Sequence, residues 1–200
     1  MIARVADDIA GRYAYALAVW HEQQEAAKEA GDPSAAVNEK PKPPKILVFA
    51  PTARYAQFAA LTLRKVVNAG KQGAYEAVLE LHSKKNQNYR VRVAQQFAGD
   101  SWERGVIMCS SDVAARGIDF KDVDLVVQIG VPNSRAQYIQ RVGRTARAGN
   151  KGISLLLVEH ADMHRAKRML YDLPLSVPDY DSLMLEYNDA LPLEEIYPEQ

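Results

Sequence analysis

The sequence Ile46-Leu47-Val48-Phe49-Ala50 is an uninterrupted apolar run, and Pro51-Thr52 ends it. A strand that is buried on both faces of a parallel sheet lacks the alternation of polar and apolar residues that marks a half-exposed strand. The run therefore predicts a central strand of a sheet with helices packed on both of its faces.

The residues that follow this strand repeat an alternation of helices and strands as far as residue 171. We predict further strands at 75–81, 106–109, 124–129 and 153–158, and helices at 53–68, 87–97, 134–147 and 161–171. Repeated β-α units imply an α/β fold with a parallel sheet. Ligands of such sheets bind at the carboxyl ends of the strands. The candidate site loops are therefore 51–52, 82–86, 110–120 and 130–133.

The flanking segments differ from this central part in composition. Residues 1–31 predict a packing helix, with Ile9, Tyr13, Leu17 and Trp20 on one apolar stripe. Residues 32–44 are a proline-containing linker, and the domain itself spans 45–172. The tail, 173–200, carries seven acidic residues and no basic one, so it should repel a polyanion.

The composition limits the possible functions of this chain of 200 residues. Its formal net charge is zero, so nucleic-acid binding requires a local basic patch rather than an overall basic surface. Cys109 is the single cysteine, which excludes an internal disulfide, and its apolar surroundings predict a buried, unreactive thiol. No apolar run is long enough to cross a membrane, and no signal peptide is expected at the N-terminus.

The segment from Tyr138 to Gly149 holds the strongest functional signal. Arg141, Arg144 and Arg147 recur at a spacing of three, which places them near one face of a predicted helix. No acidic residue occurs between Val131 and Val158. Because the guanidinium group matches phosphate oxygens, the cluster predicts an anion-binding site.

A second candidate segment, from Ser110 to Asp119, follows the third predicted strand. Its hydroxyl groups can donate to a phosphate, and Gly117 permits a turn that exposes backbone N–H groups. Asp119 is suited to accept a hydrogen bond from a ribose hydroxyl. A capped short helix, with Ser111 as the cap and Asp119 in a turn, is the alternative.

Together these segments resemble the C-terminal RecA-like domain of the DEAD-box RNA helicases, which belong to helicase superfamily 2. The resemblance extends from about residue 45 to 172 and includes five motifs in the family's order. These are residues 46–52 (motif IV), 81–97 (motif IVa), 111–119 (motif V), 126–132 (motif Va) and 138–149 (motif VI). The leading helix and the Gly-Val-Pro of motif Va are most similar to an organellar subgroup that includes fungal mitochondrial splicing helicases.

The resemblance implies a role for each matching residue. Arg144 and Arg147 would be arginine fingers that neutralise charge on the γ-phosphate of ATP. The resemblance also implies ATP contacts by Gly117, Asp119 and Gln140, and RNA-backbone contacts by Thr52, Gln87, Arg90, Ser111 and Arg116. Such backbone contacts do not depend on base sequence.

Four positions depart from the family pattern. Gln140 replaces a histidine that helps to connect the two helicase domains, Ser83 replaces a glycine, and Gly130 replaces an aspartate. Ser111 replaces a threonine and preserves its hydroxyl group. Interdomain coupling is the property that the Gln140 departure puts in doubt.

Two motifs needed for phosphoryl transfer are missing from the sequence. It contains neither G-x-x-x-x-G-K-[ST] nor Asp-Glu-Ala-Asp. We therefore expect a catalytically silent half of an ATPase, whose Mg²⁺ is held by an N-terminal RecA-like domain of the same protein. No metal site is predicted in this chain itself.

Two other functions remain open at this point. One is a non-catalytic module that binds RNA or a protein partner and derives from a helicase. The other is a superfamily 2 enzyme that acts on DNA, against which the motif from Gln87 to Arg90 argues. We expect a monomer without membrane contact, and the subgroup resemblance implies a mitochondrial location, with the nucleus or cytoplasm as the alternative.

Overall fold

The computed structural model describes residues 21–22, 25–26, 29, 40–68, 75–112, 118, 120, 122–147 and 152–173. The described residues before position 30 (21, 22, 25, 26 and 29) are helical and exposed. The predicted apolar stripe of the leading helix, the acidic tail, and Arg116, Gly117 and Asp119 lie outside the described residues.

Five strands form the sheet, and every pairing between them is parallel. They are β1 (Lys45–Ala50), β2 (Ala77–Leu81), β3 (Val106–Ser111), β4 (Leu125–Ile129) and β5 (Ile153–Leu157), arranged in the order β2-β3-β1-β4-β5. The run that predicted a central strand is indeed central, since Val48 is paired with both Cys109 and Val127. The predicted α/β fold with a parallel sheet is confirmed.

Between residues 40 and 173, the described part of the chain contains four complete α-helices beside the strands. They are α1 (Ala53–Asn68), α2 (Gln87–Ala98), α3 (Arg135–Val142) and α4 (Met163–Met169), the last preceded by a 3₁₀ turn at His160–Asp162. The bounds of α1 are those predicted from the sequence. No helix in the described part of the chain is sufficiently long and apolar to span a membrane.

The hydrophobic core has two layers, one on each side of the sheet. Ile46 and Val48 pack in the layer that contains Leu63 of α1, whereas Leu47 and Phe49 pack in the layer that contains Phe97 of α2. Successive strand residues point to opposite faces. A continuous apolar strand therefore supplies both layers, which is why β1 needs no polar residue.

Cys109 lies in the first layer and is fully buried. Burial raises the pKa of its thiol to about 12, because the protein interior disfavours the charged thiolate. The prediction of an unreactive structural cysteine agrees with this environment.

One prediction about secondary structure is wrong. The helix expected at 134–147 ends at Val142, and the N–H of Gly143 donates to the carbonyl of Ile139 as a cap. Thr145 is buried, its hydroxyl donates to the carbonyl of Val123, and these two residues form a parallel β-bridge. Hydrogen bonding to the residues before β4 therefore competes with further helix, so the three arginines do not share one helical face.

Strand β3 also extends further than predicted. It includes Ser110 and Ser111, which were expected to begin a loop. Both are buried, and the Ser110 hydroxyl donates to the carbonyl of Leu81 on β2 at 3.1 Å. Polar residues at the end of a strand can thus continue the ladder when a neighbouring strand accepts their hydroxyl groups.

Candidate functional site

Arg141, the first arginine of the cluster, is a buried structural residue. Its Nε and NH2 atoms donate to the two carboxylate oxygens of Asp112 at 2.7 and 2.6 Å. Its guanidinium group also lies 5.4 Å from the ring centre of Phe49. Arg141 is only 4% exposed. It therefore joins α3 to the end of β3 and to β1, and little of its charge is available to a ligand.

Arg144 and Arg147 lie in the turn that follows α3. The NH1 atom of Arg144 donates to the carbonyl of Ile118 at 3.0 Å, and Nε of Arg147 donates to the carbonyl of Gly143 at 2.6 Å. Both side chains are half-buried. Backbone acceptors thus orient the two guanidinium groups. Their remaining N–H groups are donors of the kind that phosphate oxygens accept.

Arg144 and Arg147 line an open cleft of about 290 Å³. Lys42 also lines this cleft, as do residues 122–124, which precede β4. The cleft therefore opens beside the amino ends of β1 and β4. Ligand contacts were expected at the carboxyl ends of the strands, and the place where a ligand binds stays a prediction. The cleft opens at the amino ends because α3 runs back across the sheet before its arginines appear.

A second cleft, of about 280 Å³, extends along α3 toward the carboxyl ends of the strands. Gln140 lines it together with Gln137 and Arg144. Gln140 is exposed on the helix surface. Because Arg144 lines both clefts, the predicted nucleotide residues Gln140, Arg144 and Arg147 follow one another along a single surface. The predicted contacts of Gly117 and Asp119 lie outside the described residues.

The predicted RNA-binding residues that the structure describes lie at the opposite, carboxyl end of the sheet. Thr52 follows β1 and is exposed, and its hydroxyl accepts from the N–H of Tyr55 in the first turn of α1. Gln87 and Arg90 belong to the first turn of α2, and NH1 of Arg90 donates to Oε1 of Gln87 at 3.1 Å. Gln87 is exposed, so its amide N–H₂ and the guanidinium group of Arg90 face the same region as donors.

Ser111 differs from the other predicted RNA contacts because it is 6% exposed. Ser111 is the last residue of β3, which lies between β1 and β2 in the sheet. Because Thr52 follows β1 and α2 follows β2, Ser111 lies between these two predicted RNA contacts. A contact by this hydroxyl remains a prediction, as does the contact by Arg116.

Additional cationic groups surround the first turn of α2. Nζ of Lys85 lies 5.0 Å from the ring centre of Tyr89, and the guanidinium carbon of Arg92 lies 5.5 Å from it. Asn86 caps the helix by accepting from the N–H of Tyr89 at 2.8 Å. The helix N-terminus, with its partial positive charge, thus lies within a group of basic side chains. The sequence interpretation missed Lys85 and Arg92, although both stand within the motif that contains Gln87.

A cluster of buried polar side chains lies at the end of β2, next to the first turn of α2. Glu80 and His82 are both buried, and Nζ of Lys85 lies 2.6 Å from Oε1 of Glu80. Burial lowers the pKa of His82. This effect is larger than the rise in pKa that the neighbouring Glu80 carboxylate causes. Burial alone would raise the pKa of Glu80, but the hydrogen bond and charge of Lys85 lower it. A neutral His82 beside an ionised Glu80 follows from these directions.

Two motif residues to which the sequence assigned no ligand contact, Asp112 and Gly130, stabilise the fold. Asp112 pairs with Arg141, and Gly130 has a φ of 75°, in the left-handed region that favours glycine. The sequence signal for Gly130 was its departure from the family's usual aspartate. Ser83, the other departure near the RNA region, is not among the described residues that have positive φ.

The described residues fit an anion better than a metal ion. Three basic side chains (Lys42, Arg144 and Arg147) and two carboxylates (Asp122 and Asp124) line the first cleft. Lys42 is paired with Asp122 at 2.8 Å, so the two guanidinium groups are the part of the cleft that suits phosphate oxygens. Among the residues that the structure describes, no group of three or more His, Cys, Asp or Glu side chains could hold a metal ion. We therefore assign no step of a reaction to a metal bound by these residues.

The parallel sheet, its strand order and the arginine turn define a RecA-like helicase domain. The family profile of the helicase conserved C-terminal domain matches residues 33–149, and the chain belongs to this family. Within it, the relatives of the chain are DEAD-box RNA helicases. DEAD-box ATP-dependent RNA helicase 31 of Oryza sativa subsp. japonica is 41% identical over 133 residues, which are 66% of this chain and 22% of the relative.

The yeast protein MSS116 is a second such relative. This mitochondrial ATP-dependent RNA helicase of Saccharomyces cerevisiae is 42% identical over 114 residues, covering 57% of this chain and 16% of the relative. A solved structure of Mss116p DEAD-box helicase domain 2 bound to an RNA duplex is 28% identical with a TM-score of 0.54. The match covers 94% of this chain and 68% of that one.

A further Mss116p structure, bound to single-stranded RNA and AMP-PNP, is 31% identical with a TM-score of 0.54. That match covers 96% of this chain and 34% of the other. The chain therefore spans less than a quarter of the length of the two curated relatives described here.

Proposed function

We propose that this chain acts as the second RecA-like half of an ATP-dependent DEAD-box RNA helicase. In this function it supplies arginine fingers for ATP hydrolysis and a surface that contacts the RNA backbone. The observation that supports it most directly is the turn after α3, where backbone carbonyls orient Arg144 and Arg147 on an open cleft. The family membership supports it independently.

The proposed catalytic contribution is electrostatic. ATP supplies a phosphoryl group whose transfer to water spreads negative charge over the γ-phosphate oxygens. Arg144 and Arg147 would donate N–H groups to those oxygens when a first RecA-like domain closes over the cleft. The Thr145 hydroxyl bond to Val123 fixes the turn beforehand, so little reorganisation is needed at closure.

Two other roles follow from this function. Gln140 lies on the same surface, and it would contact either the bound ATP or the first RecA-like domain. Mg²⁺ would be held by that first domain, because the described residues offer no ligand group of their own. We also propose RNA-backbone contacts by Thr52, Gln87, Arg90, Ser111 and Arg116.

The catalytic part is tested by measuring ATP hydrolysis with saturating RNA. The chain alone should show no turnover, whereas a fusion to the first RecA-like domain of a DEAD-box relative should hydrolyse ATP. Arg147→Ala in that fusion should lower kcat by about 10³-fold or more, the scale of a lost arginine finger. Arg168→Ala, on the exposed surface of α4, is the matched control and should leave kcat unchanged.

Two results would contradict the catalytic proposal. Turnover by the isolated chain that Arg147→Ala abolishes would show a complete enzyme rather than half of one. A fusion that hydrolyses ATP equally well with and without Arg147 would remove the arginine-finger role. A chain that binds RNA but never supports hydrolysis would fit the alternative, a binding module derived from a helicase.

The RNA part is tested by measuring binding of unrelated RNA sequences over a range of salt concentrations. Arg90→Ala should weaken binding to all of them and reduce the slope of log K against log salt by about 1, as loss of one phosphate contact does. Arg168→Ala is again the control. Equal affinity for DNA of the same length would instead favour a DNA-directed enzyme.

The cellular location is also proposed rather than established. We propose a mitochondrial location, because the yeast relative MSS116 is mitochondrial. We also propose that the protein works as a monomer. Fluorescence microscopy of the tagged full-length gene product tests the location, and light scattering tests the oligomeric state.

A further inference from the structure

The outer surface of α1 exposes three large apolar side chains in succession. Tyr55 is 52% exposed, Phe58 is 64% exposed and Leu61 is 51% exposed. Residues three apart on a helix are surface neighbours, so the three side chains form one continuous stripe. The opposite side of α1 is buried through Ala56, Ala59, Ala60 and Leu63. The helix thus has a second apolar face beyond the one that packs on the sheet.

The charged residues of α1 itself have a single sign. Helix α1 carries Arg54, Arg64 and Lys65 and contains no acidic residue. In the sequence, no Asp or Glu occurs between Pro51 and Tyr75. Arg54 and Lys65 are exposed. The rim of a protein–protein interface is polar, whereas a surface for single-stranded nucleic acid combines cations with aromatic rings on which bases stack.

The rings of Tyr55 and Phe58 are also free of competing ring contacts. Among the described residues, neither ring has an aromatic neighbour or a cation over its face, in contrast to Tyr89, which has two cations. The faces of these two rings are therefore accessible to a flat partner such as a nucleobase. Base stacking on aromatic side chains tolerates any sequence, because every base has a π-face.

The position of the stripe connects it to the proposed RNA contacts. The hydroxyl of Thr52 accepts from the N–H of Tyr55, so the stripe begins directly beside a residue assigned to the RNA backbone. With a rise of about 1.5 Å per residue, Phe58 lies about 9 Å along the helix from Thr52. That distance corresponds to one or two nucleotides of an extended strand.

We propose that the α1 stripe, together with the neighbouring Arg54, is a stacking platform for unpaired bases of RNA. It lies beyond the backbone contacts at the carboxyl ends of the strands and would hold nucleotides that flank them. Arg54 contacts a phosphate, and the two rings stack on bases. This inference rests on the proposed function, because it extends the same RNA across α1.

The test compares binding of an unstructured single-stranded RNA with binding of a blunt RNA duplex of equal length, by fluorescence anisotropy with the full chain. The double variant Tyr55→Leu, Phe58→Leu keeps apolar side chains but removes both rings. It should bind the single strand about tenfold more weakly or worse, since stacking contributes about 1–3 kcal/mol per base. The salt dependence should not change, because stacking displaces no counterions. Duplex binding should be unaffected.

Three matched variants sharpen the comparison. The exchange Tyr55→Phe, Phe58→Tyr keeps two rings and should retain the single-strand affinity. Tyr171→Leu removes an aromatic side chain that is 82% exposed elsewhere and should have no effect. Arg54→Gln should lower the salt slope by about 1 without removing the ring effect. Because all of these side chains are solvent-exposed, each variant should remain folded, which thermal unfolding checks.

The possible results separate this inference from the proposed function. If the wild-type chain binds neither RNA, the RNA role fails and the stacking platform fails with it. If Arg90→Ala weakens binding but the Leu double variant does not, the RNA role stands and the platform is overturned in favour of a protein partner on α1. An equal loss on duplex and single strand would also overturn stacking on unpaired bases.

Discussion

Arg141 and Asp112 form a bidentate ion pair, with Nε and NH2 of the arginine 2.7 and 2.6 Å from the two carboxylate oxygens. The pair joins the end of β3 to the last turn of α3, and the arginine turn begins immediately after it. The side chain of Arg141 is 4% exposed and that of Asp112 is 19% exposed. The first arginine of the cluster therefore positions the other two.

Removing this arginine should strongly destabilise the domain. Arg141→Met leaves the Asp112 carboxylate without its partner, and breaking a buried pair on one side costs about 3 kcal/mol or more of unfolding free energy. Urea unfolding measures the loss. Arg135→Met is the matched control, because Arg135 pairs with Asp172 on the surface, where such a pair contributes about 1 kcal/mol or less. Equal losses of unfolding free energy in the two variants would show that the Arg141 pair contributes no more to stability than a surface ion pair.

The arginine turn contains a strained residue that glycine should relieve. Ala146 has a φ of 54°, in the left-handed region that costs a non-glycine residue about 1 kcal/mol. Ala146→Gly should therefore raise the unfolding free energy by about 0.5–1 kcal/mol, despite the greater freedom of glycine in the unfolded chain. Ala136→Gly, at an exposed position of α3, should give no gain because φ is helical there. Stabilisation by Ala136→Gly alone would contradict the explanation.

Buried His82 should make stability depend on pH below neutrality. Its pKa in the folded state lies below the ordinary value of 6.5, so the unfolded chain binds a proton first as the pH falls. The stabilising contribution is complete above about pH 6.5 and is lost progressively as the pH falls toward the folded-state pKa. Urea unfolding between about pH 5 and pH 8 should show this loss.

The control variants for this pH effect are His82→Gln and His160→Gln. The first should flatten the pH dependence even if it lowers stability overall, whereas the second, at an exposed histidine, should leave it as in the wild type. The stability that the Glu80 carboxylate contributes is lost only at lower pH, because the pKa of that carboxyl is below 4.5. A pH dependence that persists unchanged in His82→Gln would exclude His82 as its source.

The thiol of Cys109 should react only when the domain unfolds. Burial and a pKa of about 12 leave almost no accessible thiolate at neutral pH. Labelling with a thiol reagent should therefore be very slow in buffer and fast in denaturant. Introducing a cysteine at the exposed position of Ser83 provides a positive control, because Ser83→Cys should label rapidly in the folded state. Rapid labelling of the wild-type protein in buffer would contradict a closed core at β3.

Most of the fold could be predicted from local sequence patterns. The apolar run from Ile46 to Ala50 identified the central strand, and the bounds of α1 were predicted without error. These elements were predictable because burial on both faces of a sheet, and the periodicity of a helix, leave direct traces in residue order. The five ordered motifs likewise indicated the family before any contact was known.

The details of the candidate site were less predictable, because they depend on contacts between distant residues. Spacing alone suggested that Arg141, Arg144 and Arg147 act together, but the spacing cannot show which of them is buried. Asp112 decides that question, and it lies 29 positions from Arg141 in the chain. Likewise, the bond from Thr145 to Val123 ends the helical conformation that the local sequence allows.

The sequence by itself determined the class of fold, the order of its elements and the residue types available for binding phosphate, because these follow from hydrophobic periodicity and side-chain chemistry. Only the tertiary structure decided that Arg141 supports the site while Arg144 and Arg147 line it, and that the α1 stripe is exposed. The physical reason is that burial and charge pairing are properties of the packed chain. A guanidinium group becomes structural or functional according to whether folding brings a carboxylate to it.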